Sequence, residues 1–250
     1  MTSERLMSQF RREGFVILPL LNSDQFSAIR SMISRKWQHR LIEQYPHLES
    51  KIHDLDLPDY HTISSDIDHP NLWTKEHRLF SPEEVDTLLD IGILGNLAEL
   101  LPDVTIVDIE GIGYPEIYWR LVRPGTSDVA PAHRDSWFWE ITNNLQESDQ
   151  LGLGKVWLPI ITVPGENGLG VYPNSKQWSI EPLTEFRHGR MKPVLPSGAL
   201  DDKIALNLPV IEKECVLFDR KLFHFGIPHS IDMTRVSIEF AIRSEEFNHS

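Results

Sequence analysis

The pattern of apolar and polar positions changes character near residue 104. Before this point apolar residues recur at helical spacing, and after it short β-branched and aromatic runs alternate with Gly and Pro turns. The first part predicts helices over 3–12, from Asn22 or Ser23 to about Trp37 or beyond, from Ser81 to 91 and over 96–101, with a short buried strand at 15–20. The second part predicts strands at 104–109, 116–123, 132–141, 155–163, 169–173, 204–211, 214–219 and 233–243. Helices followed by strands indicate a mainly β protein with helices: a double-stranded β-helix (jelly-roll, cupin-like) core buttressed by N-terminal helices.

We expect residues 1–250 to form a single domain, with 1–103 as mostly helical support and 104–250 as the jelly-roll core. Within the first part, segment 44–80 breaks the helical pattern and carries five scattered histidines among Asp and Pro residues. Histidines on polar segments are usually solvated, and a long irregular segment is often a lid or a substrate-facing loop. We therefore predict a candidate lid with solvated histidines at 44–80.

The formal net charge of −13 disfavours polyanionic partners. Because the sequence shows no basic run, we expect no nucleic-acid binding, and a bulky substrate with several phosphates, such as an acyl-CoA, is disfavoured. The single cysteine, Cys215, lies in an apolar run and fits a reducing compartment. No apolar stretch approaches the ~20 residues of a membrane span, and the N-terminus has no signal-peptide core. The sequence thus predicts a soluble, cytoplasmic protein without membrane contact.

A candidate metal site begins with His133 and Asp135, two positions apart within the predicted strand 132–141. Side chains two apart on a strand share a face, so an imidazole and a carboxylate can converge on one ion. His224 or His229, both beyond the apolar strand near the C-terminus, could complete a 2-His-1-carboxylate iron(II) site. An Asp that merely orients a core His would give the same local pattern.

A candidate anion-binding pair lies further on. Arg235 and Ser237 alternate with apolar residues and therefore share one face of a predicted strand. A guanidinium beside a hydroxyl suits a carboxylate, since the guanidinium can make two charge-assisted hydrogen bonds at once. The alternative is an ordinary ion pair of Arg235 with Asp232 or Glu239.

Taken together, His133-x-Asp135, His224 and an Arg235 spaced His-x10-Arg resemble the iron(II)/2-oxoglutarate-dependent dioxygenases of the phytanoyl-CoA dioxygenase-like family. The resemblance favours His224 over His229 as third ligand, because choosing His229 breaks the spacing to Arg235.

Other stretches carry the same resemblance. Residues 155–176 are similar to the family's tryptophan strand, Asn-Gly turn and Pro-Gly-Ser-His segment, with Asn174 in place of Gly and Lys176 in place of His. Residues 9–20 resemble the family's opening segment. A departure is Gly226, where the family often has a small hydroxyl residue two positions after the distal His.

The resemblance implies that iron(II) is held by His133, Asp135 and His224, and that 2-oxoglutarate is bound by Arg235 with Ser237 and Trp157 beside it. Tyr118 and Arg120 share a face of the preceding strand and are candidates to reach cosubstrate or substrate. Trp137, with the parity of His133 and Asp135, and His229 are further candidates for substrate contact.

The implied activity is hydroxylation of a small polar metabolite at the expense of 2-oxoglutarate and O2, with release of succinate and CO2. One alternative is a non-catalytic cupin-like protein that binds a sugar or another metabolite. A second is a zinc-dependent hydrolase that uses the same three ligands.

Overall fold

The computed structural model describes residues 3–125, 128–187 and 189–247. Helices α1 to α8 are Ser3–Glu13, Ser23–Gln44, Glu49–His53, His69–Leu72, Lys75–Arg78, Pro82–Ile91, Leu97–Leu100 and Asp135–Ile141. Strands β1 to β11 are Phe15–Pro19, Thr105–Ile106, Ile117–Val122, Leu153–Ile161, Leu169–Val171, Leu183–Arg187, Arg190–Val194, Leu206–Asn207, Glu214–Asp219, His224–Gly226 and Arg235–Arg243. Short 3₁₀ helices are Pro46–Leu48, Leu57–Asp66, Ser175–Gln177 and Glu245–Phe247.

The helix starts follow the capping residues in the sequence. The Asn22 side chain accepts a hydrogen bond from the backbone N–H of Gln25, and the Gln25 side chain accepts one from the backbone N–H of Asn22, which opens α2. Ser81 and Glu84 form the same reciprocal box at the start of α6. Gly14, at φ 85°, turns the chain from α1 into β1. These sequence predictions are confirmed.

Two antiparallel sheets form the core. The main sheet has the order β1-β9-β4-β11-β2, with β3 also paired to β11, and the smaller sheet has the order β10-β5-β8. A separate hairpin, β6–β7, pairs only with itself. Two packed antiparallel sheets with helices gathered against one of them are a jelly-roll arrangement, and the predicted fold class is confirmed.

The main sheet is a layer between two apolar clusters. Alternate residues of β4 and β9, among them Val156 and Leu217, pack with the helices in the larger cluster. Their neighbours Trp157 and Val216 point the other way, into a smaller cluster shared with Val171 of the second sheet. The face of β4, β11 and β3 that turns away from the helices is therefore the one from which a site can be built.

Segment 44–80 differs from its prediction. It folds into short helices whose apolar residues join the main core, and His69 is buried, with its Nδ1 2.8 Å from the hydroxyl of Tyr60. Trp73 Nε1 donates to that same hydroxyl over 2.9 Å. The prediction of solvated histidines is therefore wrong for His69, because tertiary packing supplied partners that the local pattern could not indicate. Burial lowers the pKa of His69 to about 4, which keeps its ring neutral.

Throughout the described residues, the helices are all too short or too polar to traverse a lipid bilayer.

Candidate metal centre and its cavity

His133 and His224 are joined through their backbones. The N–H of each donates to the C=O of the other, both over 3.0 Å, in an isolated antiparallel bridge. The two imidazole rings lie with their centroids 4.3 Å apart. The predicted strand over 132–141 is wrong, however, because α8 begins at Asp135. Asp135 therefore approaches the two rings from the first turn of a helix, where the helix dipole favours a carboxylate.

The packing of α8 explains why this aromatic run is not a strand. The ring of Trp137 packs edge-on against Phe223 with centroids 5.1 Å apart, and Phe138 packs against His133 at 5.2 Å. Trp139 joins a third group of apolar residues. Three successive side chains thus enter three different surroundings. A strand offers only two faces, whereas a helix rotates each residue by about 100°, and packing overrode the β propensity.

Three ligand atoms converge at this point. One atom each of His133, Asp135 and His224 lies within 4.8 Å of the other two, and His224 Nε2 is 3.8 Å from Asp135 Oδ2. His133 Nδ1 donates to the carbonyl of Pro131 over 2.7 Å, and His224 Nδ1 donates to that of Leu222 over 3.0 Å. These bonds fix the tautomers, so that both Nε2 atoms present lone pairs toward Asp135.

The electrostatics of the three residues suit a cation. Asp135 is 8% exposed, and its Oδ2 is buried without a hydrogen bond from any residue that the structure describes. A buried carboxylate oxygen without a donor is costly unless a cation occupies its vicinity. Burial, followed by the charge of His224, lowers the pKa of His133 to about 4, so the ring is neutral at physiological pH. Two imidazoles and one carboxylate are a donor set that iron(II) accepts.

Arg235 lies in a buried position against β10, the strand that carries His224. It is 3% exposed, and its Nη1 donates to the carbonyls of Asn167 and Gly168 over 3.1 and 2.7 Å. A Cβ built on Gly226, two residues beyond His224, would lie 3.5 Å from that same nitrogen. The guanidinium Nε has no partner, and Arg235 forms no ion pair within the described part of the chain.

The buried guanidinium of Arg235 favours an anionic ligand at this position. Burial, together with the charge of Arg120, lowers the pKa of Arg235 to about 10, so the guanidinium remains charged at physiological pH. A buried charge without a counter-ion is strongly destabilising, whereas a carboxylate would supply both the charge and the missing acceptor. Ser237, on the same face of β11, has a buried Oγ that also lacks a partner among the described residues. Trp157 is buried on the adjacent strand, with its ring against Gly168.

The alternative ion pairs for Arg235 are not formed. Glu239 binds Arg120 instead: Arg120 Nε donates over 2.6 Å, and Nη2 makes a second contact with the same oxygen. Asp232 accepts a hydrogen bond from His61 Nε2 over 2.8 Å. The interpretation of Arg235 as one half of an ordinary ion pair with either carboxylate is therefore wrong.

A cavity of about 830 Å³ opens from His133 and Asp135. Tyr118 and Arg120 line it from β3, as predicted from their shared face. Burial raises the pKa of the Tyr118 hydroxyl, which is therefore protonated and able to donate a hydrogen bond. Arg120 is held by Glu239, which limits its freedom to follow a ligand.

Two predicted substrate residues lie elsewhere. Trp137 packs behind the site, 5.6 Å below the guanidinium carbon of Arg134, and does not line the cavity. His229 also lies outside the cavity lining; burial, and after it the charge of Arg235, lowers the pKa of its ring. The parity argument for Trp137 fails because it assumed a strand.

Sequence reasoning missed several cavity residues. Lys155 has the same parity on β4 as Trp157, and this periodicity could have identified it. The hairpin residues Arg190 and Lys192 follow a Gly-containing turn between two short alternating runs, a signal for a hairpin that was available in the sequence. Nothing in the sequence indicated that all three would reach one cavity.

Known proteins resemble this chain in fold but not detectably in sequence. No family model matches the chain, and no curated protein matches its sequence significantly. The resemblance to the phytanoyl-CoA dioxygenase-like family therefore stays a prediction.

Solved structures, in contrast, match over nearly the whole chain. EctD from S. alaskensis, crystallised with 2-oxoglutarate and 5-hydroxyectoine, is 14% identical with a TM-score of 0.60, over 98% of this chain and 76% of EctD. SnoK, a non-heme alpha ketoglutarate dependent carbocyclase from nogalamycin biosynthesis, is 15% identical with a TM-score of 0.58, over 98% of this chain and 86% of SnoK. The epimerase SnoN, in complex with Fe3+, alpha ketoglutarate and nogalamycin RO, is 13% identical with a TM-score of 0.57, over 97% of this chain and 83% of SnoN. At these identities the likeness establishes a shared fold and no more.

Proposed function

We propose that this protein is a non-haem iron(II)- and 2-oxoglutarate-dependent dioxygenase that hydroxylates a small metabolite. The observation that carries the proposal is the convergence of His133, Asp135 and His224 within 4.8 Å, beside a buried arginine that has no ion-pair partner in the described residues. Two imidazoles and one carboxylate on a single face are the donor set of iron(II) oxygenases. Fold neighbours crystallised with iron and 2-oxoglutarate support the same assignment.

The three side chains would hold iron(II), which supplies the coupling of O2 reduction and 2-oxoglutarate decarboxylation to oxygen insertion into a substrate C–H bond. Arg235 binds the distal carboxylate of 2-oxoglutarate through the guanidinium nitrogens that the Asn167 and Gly168 carbonyls leave free. Ser237 Oγ, also without a partner, donates a second hydrogen bond. Trp157 closes this end of the site and excludes water from the buried charges.

Hydroxylation is the outcome that the ligand set favours over halogenation. In related halogenases the carboxylate ligand is absent, which leaves a place for chloride on the iron. Here Asp135 provides that carboxylate at the N-terminus of α8. The fold neighbours also include an epimerase and a carbocyclase. The product must therefore be identified to distinguish hydroxylation from epimerisation or ring closure.

The decisive experiment is an anaerobic titration of the metal-free protein with iron(II) and 2-oxoglutarate. We expect a weak visible charge-transfer band from the chelated 2-oxo acid, and release of succinate after O2 is admitted. The variant His224→Ala should lose the band. The matched control is His229→Ala, which removes the competing histidine five positions later and should retain the band because His229 lies outside the cluster.

The outcomes separate the alternatives. A band without succinate under any condition would favour the non-catalytic binding protein. Zinc in the purified protein, together with activity that persists without O2, would favour the hydrolase. Loss of the band in His229→Ala but not in His224→Ala would overturn the assignment of the ligands.

A further inference from the structure

The cavity is unusually rich in positive charge for a chain of net charge −13. Seven of the 24 Lys and Arg residues line it, compared with five of the 37 Asp and Glu residues. The seven are Lys75, Arg78, Arg120, Lys155, Arg187, Arg190 and Lys192. The lining of the cavity therefore has a net positive charge, whereas the chain as a whole has a net negative charge.

Three of these cations are already neutralised. Lys75 contacts Glu110, Arg120 contacts Glu239, and Arg187 contacts Glu185. The other four, which we call the unpaired cations, are Arg78, Lys155, Arg190 and Lys192. None of them makes an ion pair with a residue that the structure describes.

The carboxylates that remain in the cavity do not balance the unpaired cations. Asp135 belongs to the metal centre, and Asp201 lies in the loop after β7. Glu116 is 5% exposed and lies in hydrogen-bonding contact with Asp108 and the backbone N–H of Glu110. Among the carboxylates that line the cavity, Asp201 alone is exposed, and Glu239, which already binds Arg120, also acts electrostatically on Lys155 and Arg78.

The unpaired cations come from three separate elements that converge. Arg78 ends α5, and Leu79 after it bridges to Tyr118 of β3. The Nε of Arg78 is buried with no hydrogen-bond partner among the described residues. A half-buried guanidinium with unused donors is a costly arrangement unless an acceptor completes it.

Lys155 stands on the cavity face of β4, and the hairpin supplies the other side. Arg190 and Lys192 are two positions apart on β7, so they share a face, and both line the cavity. The opposite face of the hairpin carries the exposed rings and thioethers of Phe186 and Met191, which are cross-strand partners. The hairpin therefore turns its charged side toward the cavity and its apolar side toward solvent. Charged side chains usually face solvent and apolar side chains usually face inward, so this arrangement is the opposite of the usual one.

Apolar groups complete the wall. Ile109, Phe138 and Trp139 line the same cavity beside His133. A ligand that fits this lining has an apolar body near the metal centre and an anionic group among the cations.

We propose that the substrate carries a carboxylate or a phosphate group, bound by the unpaired cations, on an apolar body. This inference names the substrate class of the proposed dioxygenase and rests on that function. The anion holds the substrate at a fixed distance from the metal centre, so it selects which C–H bond faces the metal.

The test uses binding rather than turnover. Phenyl phosphate and benzoate, with phenol and benzamide as their neutral counterparts, are titrated into the metal-free full-length protein at low ionic strength and followed by ligand-observed NMR. The Arg235→Gln background is used throughout, so that the proposed cosubstrate arginine cannot account for binding. We expect at least one anion to bind at least about tenfold more tightly than its neutral counterpart.

A charge reversal on the hairpin locates the binding. Arg190→Glu with Lys192→Glu should weaken anion binding by about tenfold or more. The matched control, Arg5→Glu with Arg30→Glu, makes the same change in net charge at exposed positions of α1 and α2 that do not line the cavity, and should leave the affinity unchanged. Arg190→Gln with Lys192→Gln gives an intermediate result if charge, rather than the fold of the hairpin, is responsible.

Each outcome is decisive. Tighter binding of phenyl phosphate than of benzoate assigns a phosphate, and the reverse assigns a carboxylate. Equal affinity for anions and neutral counterparts, or equal loss in the hairpin and control variants, overturns the inference even if succinate is formed. Anion binding without any succinate formation would instead sink the proposed function and leave the anion site standing.

Discussion

The two faces of β11 carry side chains of opposite character at adjacent positions. The face toward the helices carries Val236, Ile238, Phe240 and Ile242, all fully buried in the main apolar cluster. The face toward the cavity carries Arg235 and Ser237, which are buried, and Glu239, which is half-buried. The apolar face stabilises the fold, whereas on the polar face Arg235 Nε and Ser237 Oγ are buried without a hydrogen-bond partner among the described residues. One strand with a period of two can therefore separate stability from chemistry at adjacent positions.

The largest expected effect is on the apolar face. Phe240→Ala removes a fully buried ring and should lower the free energy of unfolding by about 3–5 kcal/mol. Urea denaturation followed by circular dichroism measures the change. Ser237→Ala, three positions away on the other face, removes only a buried hydroxyl without a partner in the described residues and should leave stability unchanged or slightly raised. Equal destabilisation by both changes would break the comparison.

An intermediate effect is expected from Arg235→Gln. Loss of the guanidinium should weaken 2-oxoglutarate binding by about 10- to 100-fold, or about 1.4–2.7 kcal/mol. Stability should change little, because removal of a buried charge without an ion-pair partner in the described residues offsets the loss of the hydrogen bonds to the Asn167 and Gly168 carbonyls. Anaerobic calorimetry and thermal unfolding give the two values.

Arg243→Gln provides the control for this variant. Arg243 ends the same strand, is exposed, and donates to the carbonyl of Asp149 over 3.1 Å. It should bind 2-oxoglutarate like the unmodified protein. If Arg235→Gln lowered stability and left the affinity intact, the assignment of a ligand-binding role to this face would be wrong.

The smallest expected effect concerns Glu116 on the cavity wall. Burial, and then the hydrogen bond with Asp108, raises the pKa of Glu116 to about 7 from an ordinary value of 4.5. Between these two values the folded state binds more protons than the unfolded state, so the stability contributed by the protonated carboxyl is lost as pH rises from about 4.5 to about 7.

Glu116→Gln should therefore stabilise the protein by about 1–2 kcal/mol at pH 8 and by little at pH 4. Thermal unfolding across this range measures the difference, with Glu99→Gln on an exposed position of α7 as the matched control. A constant difference between Glu116→Gln and the unmodified protein at all pH values would contradict the argument.

The fold class and the polar face of β11 could be predicted from the sequence because they depend on local rules. The capping residues Asn22 and Ser81 mark helix starts, and the alternation around Arg235 marks a strand with one polar face. The same alternation correctly grouped Arg235 with Ser237.

The remainder depends on contacts between distant segments. The aromatic run after Asp135 has the composition of a strand, and only its packing against Phe223 and His133 makes it helical. The cluster of unpaired cations is invisible in the sequence for the same reason, since Arg78 and Lys155 are far apart along the chain. The net charge of −13 predicted an acidic protein but gave no indication of a cavity lined by seven Lys and Arg residues.

The backbone bridge between His133 and His224 has a consequence for the exchange of the iron(II) ion that the proposed function requires. Each histidine is anchored to the other by two main-chain hydrogen bonds, and each ring by a third bond from Nδ1. The Nδ1 bonds favour the present orientation of both imidazoles, so the ligands would be largely ordered before an ion arrived, and binding it would cost little ordering entropy. Capture and release of the ion are then limited by passage along the cavity rather than by opening of the polypeptide, and bulky chelators should extract it far more slowly than small ones.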